Sequence, residues 1–423
     1  MHGRTITLLE HERTPVGSGD AALSPAEAER LVALSEERPG FVVMGHRSLK
    51  LSQFVGLVNL GNGRVLEILP KVGEHRDPAR GRGTLLRLLR EAYDLPLFSG
   101  GEVDHGLLER ELLDVFVLAY LRTLATLIRA GLLRRYEGRE EDLGVIRGRL
   151  LLKQQVTVHA MRMDRIACRF DDLTNDNPWN QVLKAALVAV RPWARGLESG
   201  RLWLEMAAAF DEIELRSDAL ALLRQLTPNR QARHYDSALR WAGWILQLLS
   251  PDLRRGTSSA PELLFDMNRL FEAAVAAKFR RQARSSGLQV HAQARGRHLA
   301  ISCAKPEQGH FELRPDLVLR QGDEVLAVAD TKWSAIEKNR RGHLVPAGHH
   351  AYQINAYAAA YPCKEMALIY PWSEGLAGAL ASSYQLPDAS GRAPLLHVIC
   401  VDVEKDGLPL RLSSESPVFA NLG

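Results

Sequence analysis

The chain has 423 residues, 46% of them hydrophobic and 25% charged, a length for two or three domains with cores of their own. Its formal charge of +4 and pI near 8.9 describe a mildly basic protein, suited to phosphate contact without establishing it. Cys168, Cys303, Cys363 and Cys400 are widely spaced and form no C-x-x-C pair, so neither a zinc site nor a disulfide framework is suggested. No charged-then-apolar leader opens the chain and no apolar run reaches about eighteen residues, so no membrane association is expected and a cytoplasmic location is.

In chain order, Glu10-His11-Glu12 has metal-binding residue types, but a contiguous trio projects its side chains in different directions and is expected as a solvated segment. Ser24-Pro25-Ala26-Glu27 predicts a helix start, with a capping serine, proline at the first position and an acid in the first turn. Residues 41 to 75 read as a small β unit: Phe41 to Met44, Phe54 to Val58, a turn at Gly61-Asn62-Gly63, then Val65 to Leu69. Glu74 to Gly83, charged and glycine-containing, is expected as a loop, with helix resuming at Thr84. Residues 107 to 130 predict a long amphipathic helix, apolar at Leu108, Leu112, Val115, Leu118 and Ala119.

Tyr136 to Arg149 mixes charge with three glycines and predicts an exposed strand-loop element. Helix dominates 178 to 250, broken at Pro192, Gly196 and Pro228. Trp193, Trp203, Trp241 and Trp244 fall there and at helical spacing are expected as core rather than as an aromatic binding box. From Arg254 to Arg297 nine lysines and arginines stand against three acids, a run that phosphate-backbone contact and a solvated helix face explain equally well.

Leu264 to Glu272 then opens an amphipathic helix, apolar at 264, 267, 270, 271 and 275. Leu317-Val318-Leu319 and Val325 to Ala329 are apolar runs separated by the turn-like Arg320 to Glu324, which together predict a hairpin. Asp316 stands at the start of one strand and Asp330 near the end of the other, so antiparallel pairing brings both carboxylates to one end of the sheet. Lys332, two residues past Asp330, shares its face.

Two carboxylates and an amine are what phosphodiester hydrolysis asks for. Asp316 and Asp330 would hold Mg²⁺, helped by the Thr331 carbonyl, Lys332 would orient or activate the attacking water and stabilise charge, and Glu272 is within reach of the same site. Asp-x-Lys alone recurs by chance, and a solvated turn accounts for it as well. The flanking Pro315-Asp316 strand, the apolar strand into Asp330 and a following helix with Gln353 and Tyr357 favour the catalytic reading. His349-His350 reads as an incidental loop pair, and no G-x-x-x-x-G-K-[ST] phosphate cradle occurs.

On Met267 to Glu272, Arg314-Pro315-Asp316, Asp330-Thr331-Lys332-Trp333, Tyr352 to Tyr357 and Leu368-Ile369-Tyr370-Pro371, the chain resembles the McrC family, nuclease subunits of the McrBC modification-dependent (5-methylcytosine) restriction systems within the PD-(D/E)xK superfamily. Val55 to Gly63, Leu66 to Lys71 and Gly144 to Leu150 resemble that family's amino-terminal half, whereas Lys338 to His350 is longer and more basic than its pattern.

The resemblance implies an α/β multidomain protein. Its parts are an N-terminal β-rich partner-binding region at 1–105, a mainly helical middle at 106–255 with an exposed element at 136–150, and a PD-(D/E)xK restriction-endonuclease-like domain at 256–423 whose mixed central sheet is flanked by helices. It implies metal ligation by Asp316 and Asp330, catalysis by Lys332, support from Gln353 and Tyr357, and a match of Glu272 to the acid of the first helix. It also implies a McrB-like AAA+ GTPase ring as partner, which binds the GTP, contacted through Lys71, Arg147 and Arg149, and double-stranded DNA containing modified cytosine as substrate. The alternative is a non-catalytic assembly subunit that activates the ring.

Overall fold

Caps set where the helices begin. Ser24 accepts from the Glu27 N–H (3.4 Å) while Glu27 accepts from the Ser24 N–H (2.8 Å), and with Pro25 first this starts the helix Pro25–Glu37. The same device starts the next helix earlier than expected. Asp77 caps the Ala79 N–H (2.9 Å) and Pro78 leads, so Pro78–Tyr93 is helical and residues 78–83 are not loop. Gly81 is there for closeness: a Cβ on it would lie 3.1 Å from Leu69 Cβ and 3.2 Å from the Pro70 carbonyl.

The computed structural model describes residues 5–17, 22–61, 64–73, 76–95, 109–159, 164–227, 230–249, 262–305, 309–387, 393–412 and 416–422. The expected turn residues Asn62 and Gly63, the loop residues Glu74 and His75, Pro228, and Arg254 and Arg255 of the basic run lie outside them. Mixed α/β structure forms two compact units, Met1–Leu112 with Ser258–Gly423, and Leu113–Thr257. Residues expected as an N-terminal region and as a C-terminal domain thus share one unit.

In the first unit, a four-stranded sheet runs in the order Thr5–Leu9, Arg64–Leu69, Phe54–Gly61, Glu262–Asp266. Its apolar residues Val58, Leu66 and Ile68 bury against Leu31 and Leu34 of the first helix. The edge strand Glu262–Asp266 corrects the helix expected from Leu264, because Leu264 pairs with Gly56 and helix begins only at Met267. Asp266 explains the switch, its carboxylate accepting from the Asn268 N–H (2.9 Å) as N-cap. Glu67, fully buried, takes the Arg82 guanidinium through two bonds of 2.7 and 2.8 Å.

A second, seven-stranded mixed sheet runs Gln289–Ala292, Leu317–Gln321, Glu324–Thr331, Glu365–Pro371, Leu395–Val401, Ser382–Gln385, with Leu410–Leu412 also on Leu395–Val401. The expected hairpin is its second and third strands, antiparallel with Leu317 opposite Ala329. The third, fourth and fifth strands are parallel, so they are near-continuous apolar runs buried on both faces. Within Lys338 to His350, Glu337–Lys338 and Leu344–Val345 pair, and Gly348–Ala360 is helix, so His349 and His350 lie in its first turn rather than on the expected loop.

In the second unit the helices Pro178–Val190 and Asp236–Leu249 pack together, and the rings of Phe116, Trp241 and Trp244 meet at 5.1–6.2 Å; Trp241 has the core role expected, whereas Trp193, Trp203 and Trp244 are half-buried. The long helix is Leu112–Ala130, and residues 107 and 108 of the expected span, Leu108 included, lie outside the described residues. The exposed element is strand and loop. Arg135–Leu143 and Arg149–Leu150 both pair with Ile166–Thr174, and Gly148 at φ +67° turns where a Cβ would meet the Arg169 carbonyl at 2.4 Å.

Candidate active site

The hairpin brings Asp316 and Asp330 to one end of the seven-stranded sheet. Asp316 precedes its strand, and its Oδ2 accepts from both the Thr331 N–H and the Thr331 hydroxyl, each at 2.7 Å. That double bond ties one acid to the residue following the other. Asp330 is 1% exposed, and the Lys332 ammonium is ion-paired with its Oδ2. Lys332 is itself fixed by its N–H on the Ile369 carbonyl (2.8 Å), which extends the parallel pairing past the strand end.

The helix Gly348–Ala360 closes one side. It buries His350, Ile354, Tyr357 and Ala358, the spacing of one helical face. From that helix Gln353 accepts from Lys332 Nζ (2.8 Å) and donates to the Tyr357 hydroxyl (2.8 Å), which donates to the Arg314 carbonyl (3.1 Å). The chain of bonds fixes where the ammonium stands. Glu272, half-buried on Met267–Ser286, accepts from Gln293 (2.6 Å).

Crowding of acids out of water shifts every one of them upward. Burial raises Asp316 against its Thr331 hydrogen bonds and the Lys332 charge. Burial, then the Asp316 charge, pushes Asp330 up to about 6, with Lys332 and the Tyr357 hydroxyl pulling the other way. Glu272 rises to about 7 through burial and the charge of Asp316, against its Gln293 bond. Asp330 Oδ2 takes no hydrogen bond of ordinary geometry. Among the described residues no group of three or more His, Cys, Asp or Glu side chains converges as a metal cage. The oxygen donors at the site are the carboxylates of Asp316 and Asp330, the donor type that hard divalent cations take.

Three neighbours carry no signal in the local sequence. His350 is buried rather than incidental, its Nδ1 2.9 Å from the Tyr370 hydroxyl, and burial with the charges of His349 and Lys332 pushes it down to about 4. Tyr370 ends the parallel strand beside Asp330, where the carboxyl ends of such strands gather ligand-facing groups. Glu10 corrects the solvated reading of its trio: it is 2% exposed and accepts from Trp333 Nε1 (2.9 Å) and the Lys71 N–H (2.8 Å). Lys71 lies exposed beside it, whereas Arg147 and Arg149 are exposed on the second unit, Arg147 paired with Asp172 (2.9 Å).

Fold and site together define a mixed α/β protein with a buried acid, Asp330, a half-buried acid, Asp316, and a lysine gathered at the end of a β-hairpin. The family model of the McrBC 5-methylcytosine restriction system component matches residues 49–371, and the chain belongs to that family. It is similar in structure to a chain of the refined half-complex from a tetradecameric assembly of Thermococcus gammatolerans McrB AAA+ hexamers with bound McrC, with TM-score 0.68 and 18% identity over 99% of this chain and 98% of that one. A chain of the Thermococcus gammatolerans McrBC complex matches with TM-score 0.50 and 20% identity over 66% of this chain and 88% of that one. At these identities the likeness is one of fold. Among curated proteins none matches the sequence. No helix among the described residues is long and apolar enough to cross a membrane.

Proposed function

We propose that the chain is the DNA endonuclease subunit of a GTP-dependent, modification-dependent restriction system, with a PD-(D/E)xK core that hydrolyses phosphodiesters with Mg²⁺. The observation that carries this reading is the gathering of Asp316, Asp330 and Lys332 at one hairpin end, with both acids raised above their ordinary range. Asp316 and Asp330, with the Thr331 carbonyl, would hold the ion. Bound there, Mg²⁺ supplies a more acidic water and neutralises charge on the scissile phosphate. Lys332, held by Gln353 and Asp330, keeps a positive charge where the phosphorane oxygens develop theirs. Glu272, half-buried and raised by burial and the Asp316 charge, is the third acid near the proposed ion site.

The partner in this reading is a McrB-like AAA+ GTPase ring, which binds the GTP, and the substrate is double-stranded DNA containing modified cytosine. Family membership supports it, as do the McrB assemblies in which similar chains are found. The second unit supports it too. Tyr136, Val145, Ile146 and Val156 are 59–75% exposed on or near the element that carries Arg147 and Arg149, apolar side chains available to a partner. Lys71, Arg147 and Arg149 are assigned here to partner contact.

A plasmid-cleavage assay with Mg²⁺, GTP and the ring partner tests the reading. Asp330→Ala abolishes cutting and leaves GTPase stimulation unchanged; loss of both together indicates a scaffold role instead. The chain alone cuts weakly or not at all, and efficient cutting without nucleotide would overturn the coupling.

A further inference from the structure

Directly past Lys332 the chain leaves the sheet and lines a cleft of about 750 Å³ with Trp333, Ile336 and Lys338, faced by Leu376 and, from the N-terminal sheet side, by Lys71 and Arg80. The volume is that of a small-ligand site rather than a packing defect. Its lining joins one aromatic face and aliphatic side chains to three cations, Lys71, Arg80 and Lys338, and three acids, Glu337, Glu374 and Glu404. Arg80 is occupied by Glu374 (2.9 Å) and Glu404 (2.6 Å), and Lys338 donates to the Ala377 carbonyl (3.1 Å). Lys71 remains exposed at the rim, and its charge with that of Lys50 adds to burial in pushing His11 below its ordinary value, a sign of local positive potential.

Trp333 is held as a platform. Its Nε1 donates to the buried Glu10 (2.9 Å), and Phe271 packs on it with ring centroids 5.5 Å apart. An indole fixed at its edge and backed by a second ring, with its remaining surface in a cleft next to a phosphate-handling lysine, has the form of a base-stacking surface. Pro371 borders the cleft one residue past Tyr370, which feels the Asp330 charge, and Trp333 lines it one residue past Lys332, so the cleft adjoins the acid cluster along the chain.

We propose that this cleft takes one nucleotide of the cleaved strand next to the scissile phosphate, its base stacked on Trp333 and its phosphate against Lys71, with Glu10 as the positioning residue that sets the indole. The inference rests on the nuclease reading of the adjacent centre. It also gives Lys71 a nucleic-acid contact in place of the partner contact assigned above.

The test uses the full chain carrying Asp330→Asn, which binds without cutting, and a duplex bearing 5-iodouracil, read by photo-crosslinking with peptide mapping and by fluorescence anisotropy. Crosslinks to the Trp333 peptide are expected. Trp333→Ala weakens binding roughly tenfold, and Trp333→Phe, which keeps a stacking face and guards against misfolding, recovers most of it. Lys71→Ala weakens binding roughly threefold and lowers the slope of log affinity against log salt by about one. Glu10→Ala behaves like Trp333→Ala, whereas Glu10→Gln, which keeps an acceptor, restores binding. Unchanged affinity in Trp333→Ala and Lys71→Ala with crosslinks elsewhere overturns the cleft assignment and leaves the nuclease reading standing. Lys71→Ala that impairs GTPase stimulation but not DNA affinity gives the rim to the protein partner and likewise overturns it. Absence of any duplex binding by the Asp330→Asn chain, alone and with the ring partner and GTP, overturns the cleft assignment, while the nuclease reading is decided separately by the plasmid-cleavage assay.

Discussion

Glu67 in the N-terminal sheet and Asp330 in the C-terminal sheet are both nearly inaccessible to water. Glu67 is saturated: Arg82 donates twice, the Thr7 hydroxyl donates at 2.6 Å and the Leu112 N–H at 2.9 Å. Asp330 instead faces Asp316, with Glu272 close enough to feel both charges, and its one cation, Lys332, is shared with Gln353. A buried acid surrounded by donors is architecture, because its charge is matched where it stands. Buried acids set against one another store an electrostatic cost that a bound cation relieves, which is the arrangement of a working site.

Neutralising each acid separates the two cases. In the cleavage assay Asp330→Asn reduces cutting to background, the largest effect expected. In urea unfolding without divalent ions near pH 8 the same variant is as stable as the parent or more so, since it removes a charge whose pKa is raised to about 6 by burial and Asp316. Glu67→Ala does the reverse, stranding the buried Arg82 charge and costing about 3–5 kcal/mol. Equal losses of stability in the two variants would erase the distinction. A smaller loss, about 1–3 kcal/mol, is expected of Gly56→Ala: at φ +131° its Cβ would meet the Leu263 carbonyl at 2.1 Å and pry the edge strand Glu262–Asp266 from the sheet that holds Glu67.

The hairpin under the acids is legible in the sequence because apolar runs flank a polar turn and Asp316 and Asp330 fall at the matching ends. The helix start at Pro78 is not, because Gly81 and the charges around it imitate a loop while Gly81 serves close packing on Leu69. Leu263 to Phe265 is an apolar run short enough to fit helix or strand, and its partner Phe54–Gly61 lies too far along the chain to leave a local sign. The same distance hides the surroundings of the site. Glu10 meets Trp333 across 323 positions, and His350 meets Tyr370 only once a helix has been laid on the sheet. Residue types and spacing reach the acids and the lysine; the shell that orients them is set by long-range packing.

Glu10 stands between the two kinds of acid and supplies the finest test. Like Glu67 it accepts donors, from Lys71 and Trp333; like Asp330 it has an oxygen, Oε2, buried with no hydrogen bond. Burial is the larger influence and raises its pKa from 4.5 to about 7, against the two hydrogen bonds and the Lys71 charge. A carboxyl raised on folding favours the native state while protonated, so this contribution is present below about pH 4.5 and lost as pH rises through about 7. Glu10→Gln keeps an acceptor and cannot ionise, so near pH 5 its stability approaches that of the parent. Near pH 8 the variant is the more stable, by roughly 1–3 kcal/mol, in urea unfolding at the two pH values. Parallel stability curves for variant and parent across this range would mean that Glu10 is already satisfied in the folded protein and belongs with Glu67.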